Sequence, residues 1–166
     1  MEEYLKALQF RSSTREKILE HRFLGEVLSE FWKRRWFEFG VARGEVDDGG
    51  YDVLIEKGSI SRHIQLKAKY DGGKTARYSI NAALADRPSG CVVIIVHDPV
   101  TLDLIGFHYF GGVPGEPLPD LGSAEVRHTK GDSFGEKAVR PAHRQLNLGQ
   151  FAKIKDVPAL VDILFE

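Results

Sequence analysis

The stretch GGYDVLIEKGSISRHIQLKAK, residues 49–69, constrains the fold more than any other part of the chain. Apolar and polar residues alternate on either side of a central glycine, and this period of two predicts two short strands. The Gly58–Ser59 pair between them predicts a two-residue hairpin turn. With that turn, Lys57 lies opposite Ile60, and the register of the whole hairpin follows.

Three polar side chains of this hairpin are expected to share one face. In the predicted register Asp52 lies opposite Gln65, and directly opposed side chains point to the same face of a sheet. Lys67 joins them because side-chain directions repeat every two residues along a strand. A register change of one residue would separate Asp52 from the other two, so the cluster depends on the turn.

The chemistry of such a cluster suits the hydrolysis of a phosphate ester. A carboxylate is a hard oxygen ligand for Mg²⁺, and this ion often binds through only one or two carboxylates plus a substrate phosphate. A nearby lysine can stabilise developing negative charge. The alternative is an exposed ion pair between Asp52 and Lys67, worth under about 1 kcal/mol, and spacing alone favours that alternative.

The segment before the hairpin, residues 12–35, is typical of an amphipathic helix. Ser13 and Glu16 have the spacing of a capping box at its start. An apolar residue then recurs at every fourth position, which predicts a stripe facing a core. The stripe consists of Leu19, Phe23, Val27 and Phe31.

The order of elements along the chain predicts an α/β fold, bordering on α+β, with a central mixed sheet flanked by helices. Residues 91–98, CVVIIVHD, are unbroken and β-branched, which predicts a strand buried on both faces. The length of 166 residues favours a single domain spanning 1–166. Residues 111–135 are expected to form a long loop, and a final helix is expected at about 157–165, capped by Asp156.

Composition narrows the class of protein. The formal net charge is −1, which excludes a basic nucleic-acid-binding arm but not a local basic patch. The one cysteine, Cys91, excludes an internal disulfide and a cysteine-based zinc cluster. No secretory leader and no membrane span is predicted, so a cytoplasmic protein is expected.

The hairpin motifs resemble those of the PD-(D/E)XK, or restriction endonuclease-like, nuclease superfamily. GGYDV, followed by QLK beginning thirteen residues after Asp52, is similar to the D…QxK form of Mrr-type restriction endonucleases and small prokaryotic nuclease-like domains of unknown function. The resemblance covers residues 13–97, and it implies a nuclease-like core over about 13–110. The strong helix before the hairpin and the buried strand after QLK add to it.

The resemblance implies roles for four residues. Asp52 matches the metal-binding aspartate, Gln65 the variable ligand position and Lys67 the catalytic lysine. Glu26, in FLGEVL, matches the helix acid that completes a site for Mg²⁺ or Mn²⁺. Glu20 is the reserve for that role because it falls nearer the middle of the apolar stripe.

The implied activity is metal-dependent hydrolysis of DNA, with RNA open as a substrate and a homodimer open as the assembly. Gln65 stands where a second carboxylate is usual, and a tyrosine precedes Asp52 in place of the family's proline. A catalytically inactive module that binds nucleic acid or a protein partner is therefore the alternative. A third reading is a small-molecule or protein-partner domain that merely shares the hairpin pattern.

Further basic residues are weaker candidates for nucleic-acid contact. His63 and Lys69 share the face of the hairpin cluster. A second group lies at the end of the long helix, where basic and aromatic residues together can grip a strand, although a solvated helix end explains the charges more simply. This group comprises Lys33, Arg34 and Arg35 with Trp32 and Trp36. Arg140, His143 and Arg144 form another small basic cluster, for which a solvated surface is again simpler.

Overall fold

The computed structural model describes residues 2–44, 49–127, 135 and 137–166. The central sheet contains β1 (Phe39–Ala42), β2 (Val53–Lys57), β3 (Ile60–Tyr70), β5 (Gly90–His97), β6 (Leu104–Gly111) and β9 (Ala152–Ile154). Their order is β1-β2-β3-β5-β6-β9. The β3–β5 pair is parallel and the other neighbours are antiparallel, so the sheet is mixed.

A second sheet of three strands covers one face of the central sheet. It contains β4 (Arg77–Asn81), β7 (Glu125–Arg127) and β8 (Val139–Asn147), in the order β4-β8-β7. Short 3-10 helices follow β4 at Ala82–Asp86 and β8 at Leu148–Gln150. Buried side chains of this small sheet, including Ile80 and Leu146, pack with Val92 and Ile94 of β5.

The opposite face of the central sheet is covered by helices. The helices are α1 (Glu2–Phe10), α2 (Ser12–Lys33) and α3 (Val157–Phe165). The predicted stripe of α2 is buried against Val93 and Ile95 of β5 and against α3. Successive residues of β5 therefore point into two different cores, which confirms the prediction of a strand buried on both faces.

The two predicted helix starts have different outcomes. Asp156 caps α3, since its carboxylate accepts a 2.9 Å hydrogen bond from the main-chain N–H of Ala159. The capping box predicted at Ser13 is wrong, because α2 begins at Ser12 and the residue before it, Arg11, makes no side-chain cap. The N–H of Arg11 donates to the carbonyl of Ala7, and the N–H of Arg15 donates to the carbonyl of Arg11, so helical hydrogen bonds continue across the junction of α1 and α2.

The predicted class, an α/β fold built on a mixed sheet with flanking helices, is confirmed. The small sheet was not predicted. Residues 78–86 were interpreted as a short helix or an extended lead-in, and residues 143–151 were left unassigned, but β4 and β8 pair with each other. Of the loop predicted over 111–135, residues 128–134 lie outside the described residues, and the described part contains β7. Within the described part of the chain, no helix combines the length and apolar character needed to span a bilayer.

Candidate active-site cleft

The hairpin has the predicted register. Lys57 pairs with Ile60 and Val53 pairs with Ile64 in the antiparallel β2–β3 ladder. Gly58 adopts a φ of +57°, which is typical of this tight turn. Just beyond the ladder, the N–H of Asp52 donates a 2.9 Å hydrogen bond to the carbonyl of Ile64, so the pairing continues one residue further.

A second glycine positions Asp52. Gly50, two residues earlier, has a φ of +71° and lies against the 3-10 helix after β4. A Cβ at this position would come within 2.8 Å of the main-chain nitrogen of Leu84, where no side chain fits. The chain therefore enters β2 pressed against the small sheet, and glycine is required for that approach.

The open edge of β3 is the central feature of the site. β2 begins only at Val53, opposite Ile64, whereas β3 continues beyond Ile64 to Tyr70 and has no β2 partner there. The N–H of Leu66 faces this edge and donates a 2.6 Å hydrogen bond to Oδ2 of Asp52. In a strand the N–H and C=O of one residue point to the same side, so the Leu66 carbonyl also faces the open edge.

A cleft of about 590 Å³ surrounds this edge. Gln65 and Lys67 line it from one face of β3, and Leu66 and Ala68 line it from the other face. Asp52 lies at the same cleft. The structure thus brings together the acid, the amide and the ammonium group of the hairpin.

The Gln65 side chain is held in place by the small sheet. It is 8% exposed, and its Oε1 accepts a 3.4 Å hydrogen bond from the main-chain N–H of Asn81. Burial between the two sheets restricts its rotamers, and one lone pair of the amide oxygen is already used. Lys67, two residues along the strand, is half-buried at the same cleft.

The helix acid at the cleft is Glu20. It is 7% exposed and lines the cleft, whereas Glu26 is exposed and does not. Glu26 lies six residues further along α2, about 9 Å at the helical rise of 1.5 Å per residue, and off the stripe that packs on the sheet. This placement reverses the order of the two candidates, since the reserve residue is the one that lines the same cleft as Asp52.

Two cations hold the Glu20 carboxylate. Lys17 Nζ lies 2.9 Å from Oε2, and Arg43 Nε lies 3.2 Å from Oε1. The Arg43 contact is an ion pair without an aligned hydrogen bond, and Oε1 is buried with no hydrogen-bond partner. Burying a carboxylate is costly unless nearby cations offset its charge, as these two do. The Oε1 atom can still accept a hydrogen bond or bind a cation.

His63 and Lys69 share a face with the cluster but are not among the residues that line the cleft. His63 Nδ1 lies 2.7 Å from the carbonyl of Pro88, and its ring meets Tyr51 edge to face. Lys69 Nζ donates to the carbonyl of Gly73. These contacts support the ends of β3 and the turn after it.

The basic group at the end of α2 also lies outside the cleft. Arg34 ties α2 to α3 through a 2.6 Å contact with Asp162 and a 2.9 Å contact with Glu30. Lys33 lies 3.7 Å from Glu30, and Arg35 has a φ of 63° at the turn that ends the helix. A role in helix packing explains Arg34 directly.

The second wall of the cleft was not predicted, although two of its residues, Arg140 and His143, belong to a basic cluster noted in the sequence. Polar residues of β4 line it, while the residues between them, Tyr78 and Ile80, are buried. The alternation in RYSIN carries this signal, but the segment is too short to separate a strand from a helix on pattern alone. The small-sheet residues at the cleft include Arg77, Ser79, Asn81, Arg140 and His143.

The oxygen donors at the open edge fit a hard divalent cation. Asp52 and Glu20 supply two carboxylates, the Leu66 carbonyl faces the same edge, and the buried Oε1 of Glu20 lacks a hydrogen bond. Mg²⁺ binds through one or two carboxylates and retains several waters. Among the described residues, no group of three or more His, Cys, Asp or Glu side chains forms a complete metal cage.

Comparisons with known proteins add a resemblance of overall shape. No protein-family model matches the chain, and no curated sequence matches it significantly. One solved structure with a similar fold is Hjc, a Holliday junction resolvase from Archaeoglobus fulgidus. It is 14% identical, and the match covers 88% of this chain and 98% of Hjc with a TM-score of 0.43. Because this similarity is low, the roles proposed below for individual residues are argued from the geometry of the cleft alone.

Proposed function

We propose that this chain is a metal-dependent nuclease of the D…QxK branch of the PD-(D/E)XK superfamily, which hydrolyses phosphodiester bonds in DNA. The observation that carries the proposal is the meeting of Asp52, Gln65 and Lys67 with the buried Glu20 around the open edge of β3. Asp52, Gln65 and Lys67 belong to one hairpin, whereas Glu20 comes from α2, so the convergence of all four does not follow from the hairpin alone.

Asp52, Glu20 and the Leu66 carbonyl are the groups that would hold the cation, with Gln65 beside them. When bound, Mg²⁺ or Mn²⁺ supplies a Lewis acid for the phosphate and an activated water. Asp52 is oriented for this role by the N–H of Leu66, which fixes Oδ2. Glu20 exchanges its contacts with Lys17 and Arg43 for the cation.

Lys67 acts on the phosphate. Its ammonium group projects from the same strand as Gln65, and β3 is anchored by parallel pairing with β5 from His63 to Tyr70. A fixed positive charge beside the scissile phosphate stabilises the negative charge that develops in the transition state. Because the strand is rigid, little reorganisation is required when the charge develops.

An inactive nucleic-acid-binding module is the second candidate. It is favoured by the ion pairs of Lys17 and Arg43 with Glu20, which neutralise the helix acid, and by the amide at position 65. Such a protein would bind DNA in a salt-dependent manner without cutting it.

The proposal is tested by incubating the chain with supercoiled, linear and single-stranded DNA, and with RNA, in the presence of Mg²⁺ or Mn²⁺. We expect metal-dependent cleavage that falls at least ~100-fold in Lys67→Ala. Lys69→Ala is the matched control, because Lys69 is on the same strand and outside the cleft. Equal cleavage by wild type and Lys67→Ala contradicts the proposal, and binding without cleavage supports the inactive module.

A further inference from the structure

The acids that line the cleft all lie on one of its walls, where Lys17 and Lys67 accompany them. Among the described residues, every acid that lines it, Glu16, Glu20 and Asp52, belongs to α2 or to the segment before β2. The small sheet contributes cationic groups and no acid. These groups are Arg77 on β4 and Arg140 and His143 on β8. One wall is therefore suited to a cation and the other to phosphate.

The basic wall is part of the packed fold. Asn81 of β4 is paired with His143 of β8, so both side chains lie on the same face of the small sheet. The opposite face of that sheet buries Ile80 and Leu146. Arg140 lies beside His143, with 3.5 Å between Nη2 and Nε2. The positions of these groups are therefore set by a sheet.

A hydroxyl group on the same wall lacks a partner. Ser79 Oγ is buried in the cleft lining and makes no hydrogen bond within the protein. Leaving such a group unpaired costs roughly 1–3 kcal/mol. After a change of the Ser79 rotamer, this hydroxyl can bond to a polar ligand at the small-sheet wall.

The size of the cleft selects between forms of nucleic acid. At about 590 Å³ it belongs to the size class of pockets that enclose a small molecule. A duplex resting on the rim presents its phosphates outside such a pocket and meets one wall at a time. A single strand can place one phosphate at Lys67 and a neighbouring phosphate on the basic wall.

Building on the proposed nuclease function, we propose that the cleft takes single-stranded DNA, such as a free end, flap or gap. Arg140 and His143 hold one phosphate that flanks the reacting one, and Arg77, four residues from Asn81 along β4, holds another. The acidic wall holds the cation, so the strand lies between the two walls. Arg77 and Arg140 thus determine which DNA form is bound, while Lys67 acts at the reacting phosphate.

The test is binding without metal, in EDTA, of one labelled oligonucleotide as a single strand and as a blunt duplex. We expect fluorescence anisotropy to give at least ~10-fold tighter binding of the single strand. Arg77→Gln/Arg140→Gln should lose this preference, and its slope of log affinity against log salt should become shallower by about 1.4, for two phosphate contacts. Arg11→Gln/Lys155→Gln removes two exposed cations outside the cleft and should bind as the wild type does.

The inference is overturned if the wild type binds the duplex as tightly as the single strand or more tightly. It is also overturned if Arg77→Gln/Arg140→Gln binds the single strand as tightly as the control Arg11→Gln/Lys155→Gln does. Arg77→Lys/Arg140→Lys retains the charges and should retain most of the affinity, which separates charge loss from misfolding. Metal-free binding also distinguishes the two proposals. Single-strand preference without cleavage in Mg²⁺ or Mn²⁺ supports this inference and defeats the nuclease assignment, whereas cleavage with a duplex preference has the opposite meaning.

Discussion

The main-chain N–H of Leu66 donates a 2.6 Å hydrogen bond to Oδ2 of Asp52. This hydrogen bond satisfies one backbone donor at the open edge of β3. Unpaired backbone groups at such an edge can otherwise pair with a strand of another chain. It also ties the carboxylate to the strand that carries Gln65 and Lys67. The relative placement of these three groups therefore depends on backbone geometry.

The two properties of Asp52, charge and hydrogen bonding, can be separated by substitution. Asp52→Asn can still accept the hydrogen bond from Leu66 but lacks the charge, so we expect near-native stability and a loss of cleavage of about 100-fold. Asp52→Ala loses both, and unfolding should become easier by about 1 kcal/mol. Urea unfolding and cleavage rates measure the two effects. Unchanged cleavage by both variants would remove Asp52 from the site.

The choice of helix acid is tested by cation affinity. Glu20→Gln should weaken Mn²⁺ binding by about 10-fold or more, because a buried carboxylate of the cleft is lost. Glu26→Gln is the matched control on the same helix and should bind Mn²⁺ as the wild type does. Isothermal titration calorimetry provides the measurement. The reverse result would restore Glu26 as the helix acid.

Arg62 is a fully buried cation that holds the end of α3. Its Nε donates a 2.8 Å hydrogen bond to the carbonyl of Leu164, and its Nη2 donates 3.0 Å bonds to Ile163 and Gly112. Arg62→Met keeps much of the volume but leaves these carbonyls unpaired. We expect a loss of about 3 kcal/mol in unfolding free energy, measured in urea.

Exposed Arg11→Met is the control for that change and should alter stability by less than about 0.5 kcal/mol. Hydrogen exchange adds a spatial readout, because the amides of α3 should lose protection in Arg62→Met before those of β5. A loss spread evenly over the fold would argue against a specific role at α3.

His97 should make stability depend on pH. Burial lowers the pKa of its imidazole below 6.5, and the nearby charge of Arg15 acts in the same direction, while the hydrogen bond with the Asp98 carbonyl opposes them. The unfolded chain therefore binds more protons below pH 6.5, so stability falls as pH decreases from 6.5 through the folded-state pKa. Above 6.5 this contribution is fully present.

His97→Gln removes the titrating group, so its unfolding free energy should change less than that of the wild type between about pH 7 and pH 5. The variant is expected to be less stable overall, because the contact with the Asp98 carbonyl is altered. Urea unfolding at several pH values gives both quantities. An identical pH slope in the two proteins would assign the acid sensitivity to other groups.

Cys91 should be chemically inert in the folded protein. Burial raises the pKa of its thiol to about 12, so almost none of the reactive thiolate is present at neutral pH. Iodoacetamide should leave the native protein unmodified and add one group after unfolding in urea, as read by mass spectrometry. Rapid modification of the native chain would indicate that β5 opens locally.

The local pattern of the chain was sufficient for the hairpin and the main helix. Alternation on both sides of Gly58 determined the β2–β3 register, and the fourfold spacing in α2 determined the face that packs on the sheet. These features were predictable because a period in the sequence reports directly which side of a strand or helix is buried. Asp52, Gln65 and Lys67 met for this reason.

Only the tertiary structure decided which partner covers each buried face. β4 pairs with β8, whose residues lie more than sixty positions away in the sequence, and this pairing builds the basic wall. The choice of Glu20 over Glu26 likewise depends on how far along the sheet α2 lies. Local periodicity carries no information about such distances, because packing between remote elements is set by the fit of their side chains and by chain connectivity.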